Sequence, residues 1–281
     1  MVYITLGITK STMADLPAPT NSPTVGECIY CGATHDLGKE HAVPYGLNGH
    51  WTLLQASCRD CADITHRFER DTMRGMLKPV RVALGMQTRR PTQRPKTLPL
   101  VLEVNGERRT IDLSANQYPV YLPTPSFPPP GYVTGAPSQV GVPTDLRFLY
   151  LAGPSFEDFI RAQSAEFAGA CLNFSPPDFA RTLAKIGFAS AVFVLGIAAL
   201  RHSPIRQVIL GHDPCVGHWV GSWIGEEVNE PKGLHAIKVR ASGADVHVVI
   251  RLFAQFAAPE YHVVLGPAAP EFVSSSAWPW K

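Results

Sequence analysis

The sequence predicts an α+β protein: an N-terminal segment clipped by two cysteine pairs, then a C-terminal antiparallel sheet packed on a long apolar helix. Three observations predict it. Cys28/Cys31 and Cys58/Cys61 repeat the spacing Cys-x-x-Cys, and four thiolates so paired are the donor set of a closed, tetrahedral structural zinc site. FARTLAKIGFASAVFVLGIAAL reads as one long, mostly apolar helix, started by Pro176-Pro177-Asp178. Beyond it QVILG, HWVGSWI, HAIKVRA, VHVVIRLFAQF and YHVVLG read as strands. Lys238 and Arg240, alternating with Ile237 and Val239, mark a half-buried one.

Along the chain, residues 1–26 are rich in Thr, Pro and Ser and read as a flexible lead-in. Residues 27–96 form the zinc-clipped domain. The 26 residues between Cys31 and Cys58 leave room for an inserted pair of strands, since a plain zinc ribbon has only about 15–20. After Cys61, the residues Ile64, Phe68, Met76, Leu77 and Val80 recur near helical spacing. An amphipathic helix follows from that, with Arg67, Arg70 and Arg74 on or beside its exposed side, ending before Pro79. Residues 97–117 read as a hairpin, because alternating apolar residues flank Asn105-Gly106, the dipeptide of tight primed turns. Residues 118–144, with eight prolines, read as an extended linker. Residues 145–281 form a C-terminal α+β domain with no assigned role, and no internal repeat is visible.

Composition bounds the function. Hydrophobic residues make up 45% of 281, which excludes global disorder. The net charge of +2 carries no message about nucleic acid, but its distribution does. Residues 67–96 hold nine Lys/Arg (Arg67, Arg70, Arg74, Lys78, Arg81, Arg89, Arg90, Arg94 and Lys96) against Glu69 and Asp71. A basic run of this kind makes phosphate contacts that position a nucleic acid without reading its sequence; the alternative is a solvated helix face. The expected contacts are Arg67, Arg70, Arg74, Lys78, Arg81, Arg89 and Arg90. No signal peptide is evident, and the apolar stretch 186–200 is short of the ~20 residues that span a bilayer. Paired cysteines fit metal in a reducing cytoplasm better than disulfides, so the expected location is cytoplasmic. Cys171 and Cys215 read as core residues.

Inside the clip stand Glu40 and His41, followed by Pro44 and Asn48-Gly49. A carboxylate beside an imidazole, held between two knuckles, is a pairing suited to chemistry rather than to folding. The segment CIYCGATHDLGKEHAVPYGLNGHWTLLQASCRDC resembles the HNH endonucleases, matching their E-H-x-x-P pattern and the second knuckle that opens into a helix. The resemblance covers residues 27–96 closely and extends loosely to FARTLAKIGFASAVFVLG and FAAPEYHVVLG. It implies a zinc-braced ββα-metal domain of bacterial or phage type that hydrolyses phosphodiester bonds in DNA. His41 would be the general base that deprotonates water near neutral pH. Glu40, with Asp63, His66 or Glu69 from the helix, would hold Mg2+ or another divalent ion, and His66 and Glu69 share the catalytic assignment with His41 and Glu40.

One position departs from the family pattern. Ala62 follows the last knuckle cysteine, where many HNH proteins carry Asn or His. That departure is what a rival reading rests on: a catalytically inactive zinc-braced module that binds nucleic acid or protein. Asn48 reads as turn chemistry with a second use in orienting His41. His202, His212, His218, His235, His247 and His262 are scattered among apolar strands and read as structural. The C-terminal domain would serve recognition, regulation or dimerisation, with the oligomeric state left open.

Overall fold

In the computed structural model, residues 18–223, 233–256 and 258–273 are described. They form a mixed α+β structure with four small sheets. In the first sheet, β1 (Thr20–Thr24) runs parallel to β3 (Trp51–Cys58), and β2 (Leu37–His41) pairs with β3 antiparallel. Part of the expected lead-in is therefore a sheet strand, because the polar Thr20–Thr24 backbone finds partners along the open edge of β3. Residues 1–17 lie outside the described part.

Chain direction then turns directly from β3 into α1 (Arg59–Arg74), which buries Cys61, Thr65, Phe68, Glu69 and Thr72 on one side. A second, short helix, α2 (Lys78–Ala83), carries Pro79 in its first turn, where the missing N–H is not needed. The helix expected before Pro79 thus ends at Arg74, and the chain restarts helix at Lys78.

The hairpin consists of β4 (Thr97–Val104) and β5 (Glu107–Ser114), and it closes through Asn105 and Gly106 at φ 53° and 76°. Both central residues are left-handed, as a primed turn requires.

The proline-rich region 118–144 is not a linker. Its residues β6 (Val120–Ser126) pair antiparallel with β7 (Asp145–Ala152), and Val120, Leu122 and Phe127 are buried. Tyr261 donates to the Pro125 carbonyl (2.7 Å), and the Phe127 amide donates to Ser222 Oγ (2.9 Å). A strand tolerates proline at positions whose N–H is not in the ladder, and here the apolar residues between the prolines supply the core face. Between the two strands lies the one-turn helix α3 (Gly131–Thr134).

Next come α4 (Phe156–Gln163), capped reciprocally by Ser155 and Asp158, and β8 (Phe167–Gly169), which pairs with β4. Cys171 follows in coil and is exposed, and Cys215 is half-buried. Neither is the core residue expected, since both sit outside helices and strands and neither is fully buried.

The helix α5 (Pro176–Leu195) is the centre of the molecule. Ser175 caps it by accepting from the Asp178 amide. Its run of buried residues is not uniformly apolar: Thr182, Lys185 and Ser190 are buried with the rest. One side meets the cysteine-clipped segment, where Trp51 stacks on Phe193 at 4.8 Å, Arg181 lies 4.7 Å over the Phe68 ring, and Thr72 bonds Thr182 at 3.1 Å. The other side meets the C-terminal sheet. Gly187 lets the helix approach it, since a Cβ there would stand 3.0 Å from Val263.

After α5 come α6 (Ile197–Leu200), α7 (Ile205–Leu210) and α8 (Val216–Trp219). QVILG, expected as a strand, lies mostly in α7, whose apolar face Ile205, Val208 and Ile209 is buried at helical spacing. Of HWVGSWI, also expected as a strand, His218 and Trp219 lie in α8 and only Val220–Ser222 form a strand, β9; Ile224 lies outside the described residues.

The C-terminal sheet has the order β10 (His235–Ser242), β11 (Asp245–Leu252), β12 (Tyr261–Pro267), β9, and all its pairings are antiparallel. A last turn of helix, α9 (Pro270–Val273), ends the described chain. Trp278 and Trp280 lie outside it. Among the described residues, no helix is long and apolar enough to cross a membrane.

His235 ties this sheet to the N-terminal segment. Its Nε2–H donates to the Leu47 carbonyl (2.6 Å), while Nδ1 accepts from the Phe253 amide (3.2 Å). Both nitrogens are used in the neutral form, and burial pushes its pKa down to about 4 from 6.5. A lowered pKa means that the unfolded chain takes the proton first, so this stability is complete above pH 6.5 and is lost as pH falls toward 4. From pH 7 to pH 5 the loss expected from His235 is about 2 kcal/mol. Urea unfolding at both pH values, compared with His235→Asn, checks it: the variant should show the smaller pH dependence, and equal slopes would refute the assignment.

Candidate active site

The four cysteines are brought together by two local structures. In the first knuckle the Gly32 amide donates to the Cys28 carbonyl (2.8 Å), with Gly32 at φ 84°. In the second, Cys58 ends β3 as the N-cap of α1, and Cys61 stands in the helix's first turn. Their Sγ atoms all lie within 4.8 Å of one another, with Cys31 and Cys58 at 3.6 Å. Sulfurs in a tetrahedral zinc site with Zn–S of about 2.3 Å sit about 3.8 Å apart, so the donor set fits such an ion. Without a cation the arrangement is electrostatically poor: burial and the neighbouring Cys28 raise the Cys61 thiol. The N-terminal end of α1 adds a favourable partial charge.

Beside this centre, a cleft of about 960 Å3 opens between the end of β2, the outer side of α1 and the segment that follows it. Glu40, His41, Asp63, His66 and Glu69 line it, and so do all seven basic residues expected to contact nucleic acid. Residues spread over 50 positions of sequence are thus gathered on one concave surface. Asp63 and His66 are exposed on α1, whereas Glu40 and Glu69 are buried.

His41 closes β2, where its backbone registers with Thr52. Its half-buried ring meets the edge of Tyr45 at 5.7 Å. Burial, then the Lys185 ammonium, lower its pKa, with Arg89 and Lys39 adding to the effect against the opposing pull of Glu40. The imidazole is therefore neutral at pH 7, the form that accepts a proton.

Glu40 and Glu69 have a partner that sequence reasoning missed. Lys185, buried in the middle of α5, places Nζ 2.7 Å from Glu40 Oε1 and 2.8 Å from Glu69 Oε1, and also donates to the His41 carbonyl. Burial raises the Glu69 pKa, as does Glu40, while Lys185 opposes them. Despite burial, the two carboxylates hold the Lys185 ammonium charged, its pKa raised. Tyr30, fully buried, feels the same two carboxylates, which together with burial raise its phenol. A signal was present: a lone lysine inside an apolar helix is almost never fully buried unless paired.

The expected convergence of Glu40, Asp63 and His66 on one divalent ion is not found. Among the described residues, the four cysteines are the only group of three or more His, Cys, Asp or Glu whose ligand atoms gather within 4.8 Å. Glu40 turns inward to Lys185, and Asp63 and His66 face outward from α1. Asn48 serves the turn: it is left-handed at φ 61°, and its Oδ1 accepts from the Gln87 amide (2.8 Å) rather than orienting His41. Arg81 is likewise committed, donating to the Gly46 and Met73 carbonyls (2.8 and 3.1 Å). It clamps the turn at Tyr45–Leu47 to α1 and is not a free phosphate contact. Arg70 pairs with Asp71 at 2.9 Å in an exposed position, a contact that a phosphate can displace at little cost. No family model, curated protein or solved structure matches this chain.

Proposed function

We propose that the chain is an endonuclease of HNH type, which hydrolyses phosphodiester bonds in DNA with His41 as the general base. The observation that carries this reading is the His41 imidazole on the wall of a cleft lined by Arg67, Arg70, Arg74, Lys78, Arg89 and Arg90. The order β2, β3, α1 braced by four cysteines, with the imidazole at the end of β2, agrees with it. The basic residues would bind the backbone phosphates and offset charge developing on the attacked phosphorus. His41 would take a proton from water, and His66, exposed on α1 in the same cleft, is the group available to return one to the leaving oxygen. Zinc at the four cysteines would hold β3 and α1 in place and take no part in the reaction. The residues do not fit a divalent ion held by Glu40 and Glu69, because Lys185 is bound there.

Nicking of supercoiled plasmid tests the proposal. His41→Ala should retain its metal and lose cleavage by about 100-fold to 10,000-fold. Because the His41 pKa is lowered, the acid limb of the rate profile should fall below pH 6.5. A variant as active as the parent would refute the role of His41.

The Glu40–Lys185–Glu69 arrangement favours one second reading, a zinc-braced module that binds DNA without cutting it. Salt-dependent duplex binding with no nicking by well-folded protein, whatever metal is added, would decide for it.

A further inference from the structure

We infer that Lys185 is the resident cation of this site: its ammonium occupies the position between Glu40 and Glu69 that a divalent metal ion would otherwise take. Three oxygens surround Nζ, namely Glu40 Oε1 at 2.7 Å, Glu69 Oε1 at 2.8 Å and the His41 carbonyl. The carbonyl accepts a hydrogen bond from the ammonium, and the two carboxylates are held to it as ion pairs. The three oxygens come from β2 and α1, and the cation comes from α5, more than 100 residues further along the chain.

The burial of all three side chains makes the arrangement exclusive. Lys185 is 0% exposed, Glu40 7% and Glu69 6%. Two carboxylates this close and this buried need a cation. Two hard carboxylate oxygens and a carbonyl are the donors Mg2+ or Mn2+ prefers, but a metal ion and the ammonium cannot share one position. The wild-type chain should therefore leave Glu40 and Glu69 untouched by divalent ions, and removal of the ammonium alone should convert them into a metal site. The inference rests on the nuclease reading only in naming which cation is displaced, and it is tested without cleavage.

The experiment is Mn2+ titration of the zinc-loaded protein, read by the loss of the free Mn2+ electron paramagnetic resonance signal and by the thermal midpoint. Wild-type protein should bind no Mn2+ through Glu69, so its titration should match that of Glu69→Gln. Lys185→Met should bind Mn2+ at least tenfold more tightly than wild type, and Mn2+ should raise its lowered thermal midpoint. Mn2+ bound by wild type and lost in Glu69→Gln would overturn the inference, as would a Lys185→Met protein of unchanged stability and indifferent to Mn2+. Should Lys185→Met fail to fold, the comparison of wild type with Glu69→Gln decides the matter. Failure of His41→Ala to affect nicking would sink the proposed function and leave this result standing.

Discussion

Removal of the zinc proposed for the four-cysteine cluster is expected to cost the N-terminal segment its fold. The centre joins a knuckle that precedes β2 to the junction where β3 becomes α1, so it fixes the strand pair relative to the helix. Structural zinc sites of this kind bind with about 10–16 kcal/mol at neutral pH, and that free energy is folding free energy. Loss of even 5 kcal/mol corresponds to a fall in melting temperature of about 10–20 °C in a chain of this size. Chelation and Cys61→Ser should both produce it, with one equivalent of zinc released by the parent and none held by the variant. A protein verified metal-free that melts where the loaded protein does would show that the cysteines do not brace the fold.

Gly49→Ala is expected to be the most damaging single methyl group near the cleft. A Cβ at Gly49 would stand 1.9 Å from the Val43 carbonyl oxygen and 2.6 Å from its carbon. Both atoms are backbone, so no side chain can move aside. The turn they belong to is held from every direction: the Gly49 amide donates to the Pro44 carbonyl, Asn48 to Tyr45, and Leu47 is wholly buried. Relief therefore requires the loop after His41 to shift, at a cost of about 3 kcal/mol or more. That corresponds to about 6–12 °C in melting temperature, and the shift should weaken any chemistry that depends on His41. Gly38→Ala in the same strand pair is the control, since its Cβ would meet the Ser57 carbonyl at an ordinary 3.8 Å. Equal melting temperatures for the two variants would mean that the Val43–Gly49 contact is looser than this geometry.

The parts that were legible in the sequence share a local cause. The cysteine pairs announce their site because both knuckles are formed within four residues of chain. Asn105-Gly106 announces its hairpin because two adjacent residues adopt left-handed conformations. HAIKVRA and YHVVLG were readable as strands from their own alternation or apolar content. Where local signals compete, the reading failed. Proline content suggested a linker over 118–144, yet the apolar residues between the prolines pair as β6 with β7 and enter the core. QVILG has strand composition but buries Ile205, Val208 and Ile209 at helical spacing.

What the sequence by itself determined is the four-cysteine cluster that could hold a metal ion, the imidazole at the end of β2, and the basic segment that follows α1. Each depends on residue type and short spacing, which survive without knowledge of the fold. What only the tertiary structure decided is the electrostatic state of the site. Glu40 and Glu69 look like free metal ligands until α5 crosses behind them and inserts Lys185. No local pattern encodes that contact, because it joins positions 40, 69 and 185, and buried charges choose partners by proximity in space rather than along the chain.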